Sequence, residues 1–178
     1  HPERAQTDLL RDLYNWTSEV DPRSQVLWLY GRAGVGKSVI AQVLCNKLKA
    51  NGRLGGSFFF KAGHTSLGNG AKLFPTIAYQ LTLLERLPVV REHIILAVEQ
   101  DPSVLSGPFA DQLQKLIIEP CAQSSDRTLV ILIDGLDQCE DENMQRGILR
   151  SVANICSLNV PLRILISSRP DTHIGDAF

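Results

Sequence analysis

The sequence predicts an α/β fold of three layers, with helices on both faces of a mostly parallel sheet. Three observations carry that expectation. Four short apolar runs, Gln25 to Tyr30, Gly56 to Lys61, Arg127 to Asp134 and Leu162 to Ser168, are separated by stretches with apolar residues at helical spacing. The second run holds three successive phenylalanines, Phe58 to Phe60, so both of its faces are covered, as in a parallel sheet. A glycine-rich loop turns the first run directly into a helical one.

Residues 1–5 are expected to be irregular. From Thr7 an amphipathic helix follows, turning Leu9, Leu10, Leu13, Tyr14 and Trp16 inward. Asp21 to Ser24, with Pro22, is a turn. The first strand leads into Gly31-Arg-Ala-Gly-Val-Gly-Lys-Ser38. The helix after it places Val39, Ile40, Val43, Leu44 and Leu48 on one face and stops at Asn51-Gly52. After the phenylalanine strand, Ala62 to Gly70 is a loop. His64 within it is either a ligand-facing residue or an exposed loop histidine. Helices then begin at Pro75 (Ile77, Ala78, Leu81 and Leu84 inward) and Pro88 (Val90, Ile94, Ala97 and Val98 inward). A further helix carries Phe109, Leu113, Leu116 and Ile117, with Pro120 following it. The third strand runs into Asp134. Asp141 to Ser157 is helical, with Asp141 as its cap and Met144, Ile148, Leu149, Val152 and Ile155 on one face. The fourth strand ends before Arg169-Pro170.

The glycine loop carries the chemistry. Gly31, Gly34 and Gly36 permit backbone conformations closed to other residues, so successive N–H groups can converge on a phosphate. The helix that follows adds its positive N-terminal end. Lys37 is placed to neutralise β- and γ-phosphate charge, and Ser38 offers a hydroxyl to Mg²⁺. The candidate nucleotide-binding set is Gly31, Arg32, Ala33, Gly34, Val35, Gly36, Lys37, Ser38 and Val39. Such a loop needs a metal partner, and an acid at the end of an apolar strand supplies it. Asp134 is that acid, joining Ser38 as a metal residue. Asp137 either orients an attacking water or serves as a turn aspartate. Arg169, beyond the fourth strand, either meets the γ-phosphate or lies on the surface beside Pro170. Ser167 and Ser168 are similarly placed without a clear role. Lys37, Asp137 and Arg169 form the candidate catalytic set.

Composition narrows the class. The chain has 178 residues, 44% hydrophobic and 21% charged, with a net charge of −1. One domain with a substantial core is expected, residues 1–24 forming a helix and linker and 25–178 the phosphate-loop core. The charge balance gives no support to nucleic-acid binding, and no run is long enough to span a membrane. Cys45, Cys121, Cys139 and Cys156 lack metal-ligand spacing. They are expected to be reduced thiols in a cytoplasmic protein, with Cys45 and Cys156 on apolar helix faces. Starting at His1, the chain is expected to be a piece of a longer one.

Taken together, Trp28 to Ser38, Leu129 to Cys139 and Ile164 to Pro170 resemble the NACHT domain, a member of the STAND class of signalling P-loop ATPases. The opening His1-Pro2 and the Ser57 to Phe60 strand resemble the nephrocystin-like N-terminal variety found in fungal NOD-like receptors. The resemblance implies a P-loop NTPase sheet of the additional-strand type, with the strand before Arg169 lying between the loop strand and the Asp134 strand. It implies truncation before helical and winged-helix subdomains, and an adenine pocket near Pro2 to Thr7. It also implies binding of ATP or ADP with Mg²⁺, slow hydrolysis and nucleotide-controlled self-association. In this resemblance Asp134 serves the metal, Asp137 is the following acid and Arg169 the first sensor. Gln138 stands where many members have glutamate, and a glutamine cannot accept a proton as a base. A nucleotide latch without turnover is therefore a second expectation. A small-molecule phosphotransferase is a third, disfavoured because the loop from Ala62 to Gly70 has no arginine. The guanine-reading Asn-Lys-x-Asp is absent: Asn46-Lys-Leu-Lys49 ends in lysine.

Overall fold

The computed structural model describes residues 2–19, 25–31, 36–124 and 127–170. Four strands form one parallel sheet: β1 (Val26–Tyr30), β2 (Leu54–Phe59), β3 (Leu129–Asp134) and β4 (Leu162–Ser168). Their order is β1-β4-β3-β2. The strand before Arg169 thus lies between the glycine-loop strand and the Asp134 strand, as expected. Every residue of β3 and β4 is buried. That is the signature of central strands covered on both faces.

Side chains alternate across the sheet and separate two cores. On one face Leu129, Ile131 and Ile133 of β3 join Ile164 and Ile166 of β4 and Phe58 and Phe60. They pack against α3 (Leu73–Thr82), α4 (Pro88–Gln100), the helical run from Phe109 to Ala122 and α7 (Glu142–Ala153). On the other face Val130, Leu132 and Leu165 meet α1 (Pro2–Ser18) and α2 (Lys37–Ala50), with Phe59 packed alongside. The phenylalanine run therefore serves both cores. The result is the three-layer α/β/α sandwich of P-loop NTPases.

Four expectations need correction. Residues 2–5 are not irregular: α1 begins at Pro2, a residue tolerated in a first helical turn because no N–H is required there. Val39 and Val43 do not face the core but are 62% and 43% exposed. The buried stripe of α2 is Ile40, Ala41, Leu44, Cys45 and Leu48, because the helix starts at Lys37 and the sheet takes the neighbouring face. The second strand is displaced two residues towards the N-terminus, since Leu54 and Gly56 pair with β3 across a bulge and Phe60 lies beyond it. Pro120 does not follow its helix but is buried within it. The run passes from α5 (Phe109–Leu113) through a π-helical turn, Gln114–Ile118, into α6 (Glu119–Ala122). The widened turn accommodates the hydrogen bond that proline cannot donate.

Other elements match. Asn51 caps α2, and Gly52 follows at a positive φ of 68°. Asp141 caps α7, accepting from the Asn143 and Met144 amides. At the sheet edge, the Gln80 side chain accepts from Ser57 N at 2.7 Å and donates to Ser57 O at 2.9 Å, so the open side of β2 is satisfied at that residue. Cys45, Cys121 and Cys139 are buried free thiols. The expected turn at Asp21 to Ser24 and the side chain of Cys156 lie outside the described residues. Among the described residues, no helix is long and apolar enough to cross a membrane.

Candidate functional site

The parallel sheet brings the carboxyl ends of β1, β3 and β4 to one rim, where open α/β sheets present their ligand crevice. A cleft of 280 Å³ opens there, lined by Gly36, Lys37, Ser38 and Val39 from the start of α2. Asp134, Gly135, Asp137, Gln138, Ser167 and Arg169 line its other side. Residues separated by about a hundred positions in the chain thus share one wall-to-wall space.

Ser38 Oγ donates to Asp134 Oδ2 at 2.8 Å. Asp134 is 3% exposed. Its other oxygen, Oδ1, accepts from the Ser167 hydroxyl. Ser167 Oγ in turn accepts from Gly135 N at 3.1 Å. One buried serine therefore orients the carboxylate and the glycine that turns the chain away from β3. Gly135 has a φ of 71°, a conformation that favours glycine and lets the chain leave the strand sharply. The Lys37 ammonium donates to the Gly31 carbonyl. Gly36 has a φ of 84°, and Ile40 N donates to its carbonyl at 3.0 Å, which opens α2. A Cβ on Gly36 would come within 2.5 Å of the Gln6 amide nitrogen. The start of α1 thus reaches the loop, on the side where the adenine pocket is expected.

Asp137 and Arg169 meet each other. Arg169 N donates to Asp137 Oδ1 at 3.0 Å, and Arg169 Nε lies 3.6 Å from Asp137 Oδ2. The arginine side chain is 60% exposed and the aspartate 13%. Gln138 Oε1 accepts from Ala62 N at 3.3 Å, tying the β2 loop to the turn after β3. His64 does not line the cleft: its Nδ1 accepts from Ser66 N and Leu67 N, so it organises its own loop.

Arg32, Ala33, Gly34 and Val35 lie outside the described residues. The other sequence-nominated residues Gly36, Lys37, Ser38, Val39, Asp134, Asp137 and Arg169 line one cleft, and Gly31 contributes its carbonyl to Lys37. Ser167 carries no mark in the sequence, because a serine ending a buried strand gives no signal of which acid its neighbour strand will place beside it.

No group of three or more His, Cys, Asp or Glu side chains gathers among the described residues to hold a metal alone. A hydroxyl and a carboxylate side by side instead fit a small hard cation that completes its shell with phosphate oxygens and water.

The family profile described as nephrocystin 3, N-terminal, matches residues 9–169. The chain belongs to the nephrocystin 3 N-terminal family. No curated protein matches it. The matched span runs from within α1 to Arg169, so every residue lining the cleft lies inside the nephrocystin 3 N-terminal region.

Proposed function

We propose that this nephrocystin 3 N-terminal domain is a NACHT-type nucleotide switch that binds ATP with Mg²⁺, hydrolyses it slowly and, in a longer cytoplasmic protein, couples the bound nucleotide to self-association. The observation that carries the reading is the 2.8 Å contact of Ser38 with Asp134 in the cleft that also holds Lys37. A hydroxyl at the helix start and a buried carboxylate at a strand end are the pair that holds Mg²⁺ in P-loop NTPases. Lys37 would shift from the Gly31 carbonyl to the β- and γ-phosphates, a stronger, charge-assisted partner. Backbone amides at the α2 N-terminus add donors and a favourable dipole. The bound ion would supply charge neutralisation to the phosphates. Asp137 and Arg169 stand on the far wall, one fitted to accept a proton or orient water, the other to meet developing negative charge.

Titration calorimetry with ATP and Mg²⁺ tests binding. Wild-type uptake is expected, with Lys37→Ala weakening it by at least about tenfold, the worth of one charge-assisted contact. No uptake by the folded wild type would overturn the proposal, and tighter binding of GTP would overturn the base preference.

A second reading, a nucleotide latch without turnover, is favoured by one observation: both Asp137 oxygens face Arg169. An acid so engaged is a poor base. Single-turnover phosphate release separates the readings. Release by the wild type and loss in Asp137→Ala supports hydrolysis; release no faster than in Lys37→Ala supports the latch.

A further inference from the structure

At the opposite end of the sheet from the cleft, positive charge collects in excess, with Glu19 and Glu85 the acids among the described lining residues. The chain as a whole carries −1. Yet Arg53, Arg127 and Arg163 line one cavity of 650 Å³ there, and Lys49, Arg86 and Arg127 line a second of 700 Å³. Arg127 belongs to both. Among the described residues no carboxylate forms an ion pair with any of these five side chains.

Two of the arginines have structural work. Arg53 donates to the Thr17 carbonyl and to Ser18 Oγ, and Arg163 donates to the Trp16 and Glu19 carbonyls. They close the C-terminal end of α1, whose unpaired carbonyls attract cations. Burial lowers the Arg163 pKa first, the nearby Arg53 lowers it further, and Glu19 opposes both.

Arg86 and Arg127 are different. Both are exposed. Their Nη1 atoms lie 3.0 and 2.8 Å from the place a Cβ would occupy on Gly52. The guanidiniums stand side by side over a glycine whose missing side chain makes the room. Among the described residues Arg127 makes one side-chain hydrogen bond, a long one, 3.5 Å to the Gly52 carbonyl. Like charges converge where nothing in the described fold requires them to. The floor is apolar: Leu83 is 59% exposed, and Leu84 and Leu87 rest on the core beneath. Among the described lining residues Glu85 is the single acid, against three cations. The volume is in the range of small-molecule sites.

We propose that the groove beside Gly52 binds a phosphomonoester, its phosphate held between Arg86 and Arg127 with Lys49 alongside, and its organic part against Leu83 and Leu87. Guanidinium forks match phosphate oxygens in pairs, and two of them neutralise a dianion that would otherwise have to be brought to a single charge. The site lies at the other sheet end from the nucleotide cleft and is independent of the proposal made for it. The same chemistry is presented by a free organic phosphate and by a phosphatidic acid headgroup.

The test follows the Gly52 amide and the Leu83 and Leu87 methyl resonances of the chain, titrated with phenyl phosphate in the absence of nucleotide. Saturable shifts at these three residues are expected, with inorganic phosphate binding more weakly for want of the leucine contact. In a parallel arm, flotation with phosphatidylcholine vesicles doped with phosphatidic acid is compared with undoped vesicles. Binding to phenyl phosphate alone assigns a free ligand; binding to doped vesicles alone assigns the headgroup. Arg86→Gln and Arg127→Gln should each weaken the positive arm about tenfold. Lys72→Gln, an exposed cation outside both the groove and the cleft, should leave it unchanged. Exposed positions are chosen so that the fold survives, which circular dichroism checks. The proposal is overturned if neither probe acts, or if the arginine variants bind as the wild type does.

Discussion

Replacing Ser167 by alanine should cost more than any surface serine, because one hydroxyl satisfies two buried groups. Ser167 is 2% exposed. Its Oγ donates to Asp134 Oδ1 and accepts from Gly135 N at 3.1 Å. Loss of a hydrogen bond to a charged group costs about 1.5–3 kcal/mol, and an orphaned buried N–H about 1–3 kcal/mol. With partial relaxation the two together come to about 3 kcal/mol. For a chain of this size, each kcal/mol lowers Tm by about 2–4 °C, so a fall of about 6–12 °C is expected. Urea denaturation and calorimetry, without nucleotide, measure it. Ser66→Ala, at an exposed loop position, is the control. If Ser167→Ala unfolds within about 1 kcal/mol of that control, with unchanged denaturant dependence, the serine does not support Asp134 in the way described.

Gly36→Ala should destabilise by about 1–3 kcal/mol, since alanine is strained at a φ of 84° and its Cβ would press on Gln6. Adding Gln6→Ala should recover only the contact part, which denaturation of the double variant reads. Leu44→Ala, at a fully buried position between α2 and the sheet, should cost about 2–5 kcal/mol by the same assay. Burial pushes the Cys121 thiol from its ordinary 9.0 up to about 12. The folded state therefore favours the protonated thiol. Its contribution is complete below pH 9.0 and is lost progressively as pH rises from there towards about 12. The wild type should lose up to about 1.4 kcal/mol more per pH unit across that window than Cys121→Ala does. Parallel pH profiles would contradict it.

Much of the fold was legible because the signals were local. The β4 run from Leu162 to Ser168 has the boundaries its apolar continuity indicates, and Asp141 caps its helix because aspartate accepts from the next amides. Helix faces were harder. Val39 and Val43 share a stripe with Ile40 and Leu44 on a helical wheel, but a helix of this width touches the sheet along only part of that stripe. Pro120 is a helix stop by local chemistry. Here a π-helical turn lets the buried run continue, because its contacts with the core outweigh one missing hydrogen bond. In the candidate site, glycine spacing marked Lys37 and Ser38, and an acid ending a strand marked Asp134. The pairing of Asp137 with Arg169 carried no such mark.

What the sequence determined by itself was periodicity, punctuation and the glycine loop, all consequences of backbone sterics and side-chain spacing within a few residues. Only the tertiary structure decided which distant residues became neighbours. Placing β4 between β1 and β3 sets Ser167 against Asp134, Arg169 against Asp137 and Ser38 within 2.8 Å of a carboxylate at the end of β3. The physical reason is register. In a parallel sheet, strand order and hydrogen-bond alignment fix which chain ends share a rim, and neither is written in any one strand.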